Sequence, residues 1–268
     1  MNKIPIETVH LNGFAMDYFR FGSGKDTMVI LPGLSVQSVM GSADAVAEAY
    51  QPFAEDFTVY LFDRRKELPS AYSVADMARD TALAMMKLGL ERVCLFGASQ
   101  GGMMSQVIAI EYPDLVRRLA VGSSAARVGE AMSRTLEGWI RLARNGDAEG
   151  LYLSFGEAVY PQELFEQSRQ LLRDVAKTVT HDDLERFIIL AECGEGFDIS
   201  DDLKNITCPT LIIGSQDDQV TGGDASVEIY ERLNGHTDCE LYMYDGFGHA
   251  AYDTAPDYKA RLLKFFKG

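Results

Sequence analysis

The sequence predicts an α/β fold, a mostly parallel, doubly wound sheet with an antiparallel N-terminal edge and a helical cap insertion. Three observations carry that reading. Short apolar runs alternate with stretches of helical spacing, as strands buried on both faces and joined by crossover helices do. Asn12-Gly13 sits between two β-like stretches and is a strong hairpin signal. Residues 126–200 then break the alternation, with helical spacing and no convincing strand.

Taken in order, Ile6 to Leu11 and Phe14 to Phe21 form the predicted antiparallel edge. The runs Met28 to Leu31, Thr58 to Phe62 and Val93 to Phe96 follow as buried strands. Between the last two, Val74, Met77, Ala78, Thr81, Ala82, Met85 and Leu88 line one helix face behind a Ser73 cap, and Gly89 ends the helix. Leu119-Ala120-Val121, Thr210 to Ile213 and Glu240 to Tyr244 supply further strands, and an amphipathic helix from about Pro256 closes the chain. Within the insertion three helical stretches are read: Leu136, Trp139, Ile140 and Ala143; Leu164, Ser168, Leu171, Leu172 and Val175; and Leu184, Phe187, Ile188 and Ala191 behind a capping box from Thr180 to Asp183. The expected organisation is a core of residues 1–125 and 201–268 with a cap of residues 126–200, packed on the core because no flexible linker joins them.

Composition narrows the functional classes. With 268 residues, 47% apolar and 24% charged, the chain has ample material for a core. Its net charge of −15 argues against nucleic-acid or anionic-membrane partners, whose phosphates need clustered cations; a small-molecule substrate is expected instead. Cys94, Cys193, Cys208 and Cys239 form no CxxC pair and no zinc spacing, so they read as reduced, buried thiols of a cytoplasmic protein. No signal-peptide core and no run of roughly 20 apolar residues is present. Without HExxH, a P-loop or GxGxxG, neither metal nor cofactor is expected.

Chemistry concentrates at Gly97-Ala98-Ser99-Gln100-Gly101, a G-x-S-x-G string between a predicted strand and a predicted helix. A serine on so tight a turn needs small neighbours at 97, 101 and 102, which the sequence provides. The competing reading is a glycine-rich loop whose serine merely caps a helix. A serine hydroxyl needs a base oriented by a carboxylate, and in doubly wound sheets such groups collect beyond the carboxyl ends of the strands. Of His10, His181, His236 and His249, only His249 follows the end of a parallel strand; His236 precedes that strand, and His10 and His181 read as surface or packing residues, with a cap residue facing substrate as the alternative for His181. Asp217 and Asp218 both follow the end of the Thr210 to Ile213 strand and compete for the acid role. Asp217 is preferred, with Asp218 as a loop or capping residue. Backbone N–H groups of Leu34 and Gln100 are the expected oxyanion donors. Trp139, Phe155, Tyr160 and Phe187 are candidates to line a pocket, with core packing as the default for each.

These features together resemble the α/β-hydrolase superfamily across nearly the whole chain. The resemblance rests on the elbow, Pro32-Gly33, Phe62-Asp63-Arg64, Tyr112-Pro113, the run Cys208-Pro209 to Gly214, and Gly248-His249. In that family the acid commonly stands three residues after the glycine ending its strand, which is Asp217. Where relatives often carry Arg-Gly after the first Asp, this chain has Arg64-Arg65, so Arg65 is either a cation near the site entrance or a solvated loop residue. The resemblance implies a serine hydrolase cleaving a carboxylic ester or lactone through an acyl-serine intermediate, as carboxylesterases and enol-lactonases with a helical cap do. Ser99 disfavours the Asp-nucleophile dehalogenases and epoxide hydrolases, and Gln100 and Ala250 the prolyl aminopeptidases and hydroxynitrile lyases. Alternatives on the same triad are a carbon–carbon bond hydrolase, a thioesterase and a perhydrolase. From another class, a non-catalytic ligand-binding member of the fold remains.

Overall fold

The computed structural model describes residues 3–268. Among them, eight strands form a single sheet: β1 (Ile6–Leu11), β2 (Phe14–Phe21), β3 (Asp26–Leu31), β4 (Phe57–Arg65), β5 (Val93–Ala98), β6 (Val116–Gly122), β7 (Thr210–Ser215) and β8 (Cys239–Tyr244). Their order is β1-β2-β4-β3-β5-β6-β7-β8. β1 and β2 pair antiparallel, β2 joins β4 antiparallel, and the remaining neighbours are parallel. The doubly wound sheet with an antiparallel N-terminal edge is therefore present. The chain reverses its direction of travel across the sheet between the adjacent strands β3 and β5, where crevices open in such sheets.

Ten α-helices among the described residues surround it: α1 (Ala43–Ala49), α2 (Val74–Lys87), α3 (Gln100–Glu111), α4 (Glu130–Arg144), α5 (Ala148–Val159), α6 (Gln162–Ala176), α7 (His181–Glu192), α8 (Gly223–Leu233), α9 (Ala251–Thr254) and α10 (Tyr258–Lys267). The period of two along the central strands explains why helices cover both faces. In β5, Val93 and Leu95 join the cluster containing Met77, Val107 and Ile229 of α2, α3 and α8. Cys94 and Phe96 face the opposite cluster, which holds Ala43 of α1 and Tyr258, Leu262 and Phe266 of α10. Helix α3 is buried along Gln100 to Ala109, the mark of a helix at the centre of the molecule. Ser73 caps α2 through a capping box with Asp76, worth about 1 kcal/mol.

Between β6 and β7 stand four helices, α4 to α7, where the sequence suggests three. The extra one is α5, whose Gly150 and Gly156 weaken its helical signal. Gly156 is needed for contact, because a Cβ there would run into Leu172 of α6. In helix α6 four residues of the expected face, Leu164, Ser168, Leu172 and Val175, are half-buried, but Phe165 and Ala176 beside them are the buried ones and Leu171 is 65% exposed. Helix α7 begins at the expected capping box of Thr180 and Asp183. No helix among the described residues is long and apolar enough to cross a membrane.

Candidate active site

Four strand ends on one edge of the sheet deliver the polar groups. Ser99 follows β5 directly, with φ 54° and ψ −121°, a conformation rare for a residue with a Cβ. Strand and helix approach so closely around it that a Cβ on Gly97 would meet the Gly101 carbonyl, and one on Gly101 the Leu31 carbonyl. Carbonyl groups of Ser99 and Gly122 complete the elbow: Ser99 O accepts from the N–H of Gly102 and Met103 and from Ser124 Oγ, and Ser99 N–H donates to Gly122 O.

His249, only 2% exposed, follows β8 and lies with Nε2 2.8 Å from Ser99 Oγ. Its Nδ1 stands 2.8 Å from an oxygen of Asp218, not of Asp217. The expectation for the aspartates is thus reversed. β7 runs on through Ser215 and turns immediately, with Asp218 N–H bonded to Ser215 O, so the consecutive side chains diverge. Asp218 points inward, its Oδ1 accepting from the N–H of Val220 and Thr221 and its Oδ2 from Thr221 Oγ1 as well as facing the imidazole. Asp217 ties the loops together, accepting from Ser215 Oγ and from the backbone N–H of Gly246 and Gly248. Burial alone would raise the pKa of Asp218; the neighbouring His249 and the hydrogen bonds from His249 and Thr221 outweigh it and hold the carboxyl below its ordinary value. Asp217 is likewise held low, with burial opposed by its bonds to Ser215, Gly248 and Gly246.

Leu34, in the loop after β3, and Gln100, at the first turn of α3, border the cavity beside Ser99. Neither N–H donates to another protein atom among the described residues. Behind them, Arg64 at the end of β4 is 4% exposed and donates from one nitrogen to Pro32 O, Gly33 O and Gln100 Oε1. Gln100 Nε2 in turn donates to Leu190 O and to Cys193 Sγ. Burial pushes the Cys193 thiol up to about 12, so it stays neutral there. Arg65 takes neither role considered for it: it pairs with Asp80 and lies over the Phe14 ring, away from the cavity.

The insertion helices close the site. The cavity touching Ser99 and His249 has a volume of about 30 Å³ and is walled by Met103, Met132, Leu136, Trp139 and Phe155. A second cavity of about 530 Å³, bordered by Ser35, Gln37, Tyr152 and Tyr160, shares Leu34 and Phe155 with it. Trp139 and Phe155 thus line the space by Ser99, with ring centroids 4.5 Å apart; Tyr160 borders the second cavity, and Phe187 is core. Arg186 of α7 reaches Asp63 on β4 at 2.6 Å, and Asp63 also accepts from Ser38. Ala250 N–H, next to His249, donates to Val159 O at the end of α5. His181 is exposed and pairs with Glu185 on its own helix, and His10 is exposed on β1. Among the described residues no three His, Cys, Asp or Glu side chains gather as metal ligands.

Such an arrangement has the parts of acyl transfer: a hydroxyl in contact with an imidazole, a buried carboxylate on the other ring nitrogen, and free backbone donors beside the hydroxyl. Comparisons with known proteins agree with this architecture. A relative from Caulobacter sp. (strain K31), named "Putative carbamate hydrolase RutD", is 28% identical over 92% of both chains. The solved α/β hydrolase MGS-M2 from a Medee basin deep-sea metagenome library superposes with a TM-score of 0.87, 23% identity and 98% of both chains covered. The enol-lactonase of Burkholderia xenovorans LB400 gives 0.82 at 18% identity, covering 98% of this chain and 100% of its own. At these identities the two solved structures speak for the fold alone. The profile of the alpha/beta hydrolase fold family matches residues 26–256, most of the chain, and the protein belongs to that family.

Proposed function

We propose that the protein is a serine hydrolase that cleaves a carboxylic ester or lactone of a small molecule through an acyl-serine intermediate. The observation that carries this reading is the unbroken relay from Ser99 Oγ to His249 Nε2 and from His249 Nδ1 to Asp218, each step 2.8 Å. Ser99 attacks the carbonyl carbon as His249 takes its proton at Nε2. Asp218 accepts the hydrogen bond from Nδ1–H, holds that tautomer and stabilises the imidazolium. The tetrahedral oxygen receives the N–H groups of Leu34 and Gln100. His249 then returns the proton to the leaving alcohol, and water repeats the sequence to release the acid and Ser99. A purely binding role gains nothing from a strained serine aimed at a buried imidazole, which weighs against the ligand-binding alternative.

The narrow cavity at Ser99 suits a short acyl group, with the leaving group in the wider cavity beyond Phe155. A carbamate is the second reading, favoured by sequence relatives named as carbamate hydrolases that align over nine-tenths of the chain. The same relay serves it, since a carbamate is also a carbonyl with a leaving group. Labelling with a serine-directed fluorophosphonate, followed by turnover of p-nitrophenyl acetate, a small lactone, a thioester, a diketone and a phenyl carbamate, tests both. Labelling at Ser99 with fastest turnover of the ester or lactone is expected. Fastest turnover of the carbamate would favour the second reading, and no labelling with no turnover would refute both.

A further inference from the structure

The Gly33 carbonyl and the Leu34 N–H belong to one peptide unit, and no cis peptide occurs among the described residues. In a trans peptide the C=O and N–H point in opposite directions, so whatever fixes the oxygen aims the hydrogen. Arg64 Nη2 lies 3.3 Å from Gly33 O and 2.8 Å from Pro32 O, one residue earlier in the same loop. The same nitrogen lies 2.8 Å from Gln100 Oε1, the side chain of the other expected donor residue. Its two hydrogens are therefore shared among three acceptors, all of them on the two segments that flank the tetrahedral oxygen's position. Burying a cation this deeply is costly, and an apolar side chain of similar volume would serve stability as well or better. Arg64 Nε has no hydrogen-bond partner among the described residues, so the side chain's polar contacts run through Nη2 to these two segments.

We propose that Arg64 is a positioning residue that sets the aim and spacing of the two oxyanion donors, orienting the Gly33–Leu34 peptide and clamping Gln100 against it. A cation on the Gly33 carbonyl also polarises the peptide, which makes the Leu34 N–H a stronger donor. On the Gln100 side the matching anchor is Ser124 Oγ, 2.7 Å from Ser99 O, the carbonyl of the peptide whose N–H belongs to Gln100.

The inference rests on the hydrolase reading, and its test separates the two. p-Nitrophenyl acetate is compared with its thionoester, whose sulfur is a poor acceptor in an oxyanion hole. The ratio of the two kcat/KM values reads oxyanion stabilisation and is independent of the fraction of protein that is folded. Wild-type enzyme should favour the oxygen ester by on the order of 10²-fold or more, in line with the effect of a single oxyanion donor. Arg64→Met should lower that ratio about tenfold with KM for the ester nearly unchanged, and Arg64→Lys should recover part of it. If both variants lose activity equally on the two substrates, the ratio is unmoved and Arg64 is only structural. Should Arg64→Met not fold, Arg64→Lys alone decides, because its shorter stem reaches fewer acceptors: a several-fold fall in the ratio supports the proposal and an unchanged ratio overturns it. A wild-type ratio near one overturns the inference while leaving the hydrolase reading intact; absence of turnover on both esters overturns the reading itself.

Discussion

Replacing Asp218 by Asn should nearly abolish turnover while Asp217→Asn leaves most of it, although the two residues are adjacent and carry the same charge. Asp218 uses Oδ1 for two backbone N–H groups and Oδ2 for Thr221 and His249. An asparagine would keep its oxygen on Val220 and Thr221 and turn its NH₂ toward Nδ1. That contact is tolerable only if the imidazole carries its proton on Nε2, the nitrogen facing Ser99, and the base is then blocked. In serine proteases the equivalent change costs about 10⁴ in kcat, or about 5.4 kcal/mol at roughly 1.36 kcal/mol per tenfold. Asp217→Asn keeps an acceptor for Ser215 and Gly246 and loses the one for Gly248. A lost acceptor costs about 1–3 kcal/mol when buried, and this partly exposed site should sit at the low end, so turnover should fall by less than about tenfold. Steady-state hydrolysis of p-nitrophenyl acetate, on variants first shown to be fully folded at the assay temperature, gives the comparison. The reasoning is refuted if Asp217→Asn is the inactive variant, or if Asp218→Asn stays within tenfold of wild type.

Three further outcomes follow from the same geometry. Phe155→Ala removes the wall between the two cavities, so the kcat/KM ratio of p-nitrophenyl butyrate to acetate should rise about tenfold, the worth of one or two methylenes; an unchanged ratio would mean the acyl group lies elsewhere. Both aspartates are held below their ordinary value of 3.8, so each contributes stability that is present above that pH and lost as pH falls through the folded value. In denaturant titrations the stability gap between wild type and Asp217→Asn should therefore be constant from pH 5 to 8 and shrink below about pH 4; a gap still constant at pH 2 would contradict the assignment. Arg186→Met strands Asp63 at a largely buried position and should cost about 3 kcal/mol, lowering the melting temperature by about 6 °C or more, whereas a shift within 1 °C would show that the pair does not hold α7 to the sheet.

Much of this site was legible because strand ends can be read from sequence. Ser99 follows an apolar strand buried along its whole length and His249 a partly exposed edge strand, and both stand beyond the carboxyl end, which set His249 apart from His236. The aspartate register was not legible, since it depends on where β7 stops, and the small Gly214 and Ser215 give no sign that the strand continues through them. A signal does exist in the residues after it: Asp218 followed by Val220 and Thr221 has the spacing for a carboxylate that accepts the next free backbone N–H groups. Helix α5 gives a weak helical signal because Gly156 makes room for α6 and Gly150 for the Asp147 carboxylate that caps the helix, and in α6 the apolar Leu171 stays in solvent. Arg64 is invisible for a different reason. Nothing in a run of basic residues at a strand end tells which of them turns inward, and the neighbour Arg65 turns the other way, to Asp80 and the Phe14 ring.

The bond between Val159 O and Ala250 N–H has a consequence for the working cycle. It joins the last turn of α5 to the residue beside the imidazole, so the seating of that helix is coupled to the loop that carries His249. Reciprocity then applies: anything that draws α5 down onto the sheet steadies the base, and anything that steadies the base favours a seated helix. A molecule bridging Phe155 and Ser99 would do the first, arming the histidine by its own arrival. A substitution that shortens or unseats the last turn of α5 is therefore felt at the imidazole, although no residue of that helix touches it by hydrogen bond.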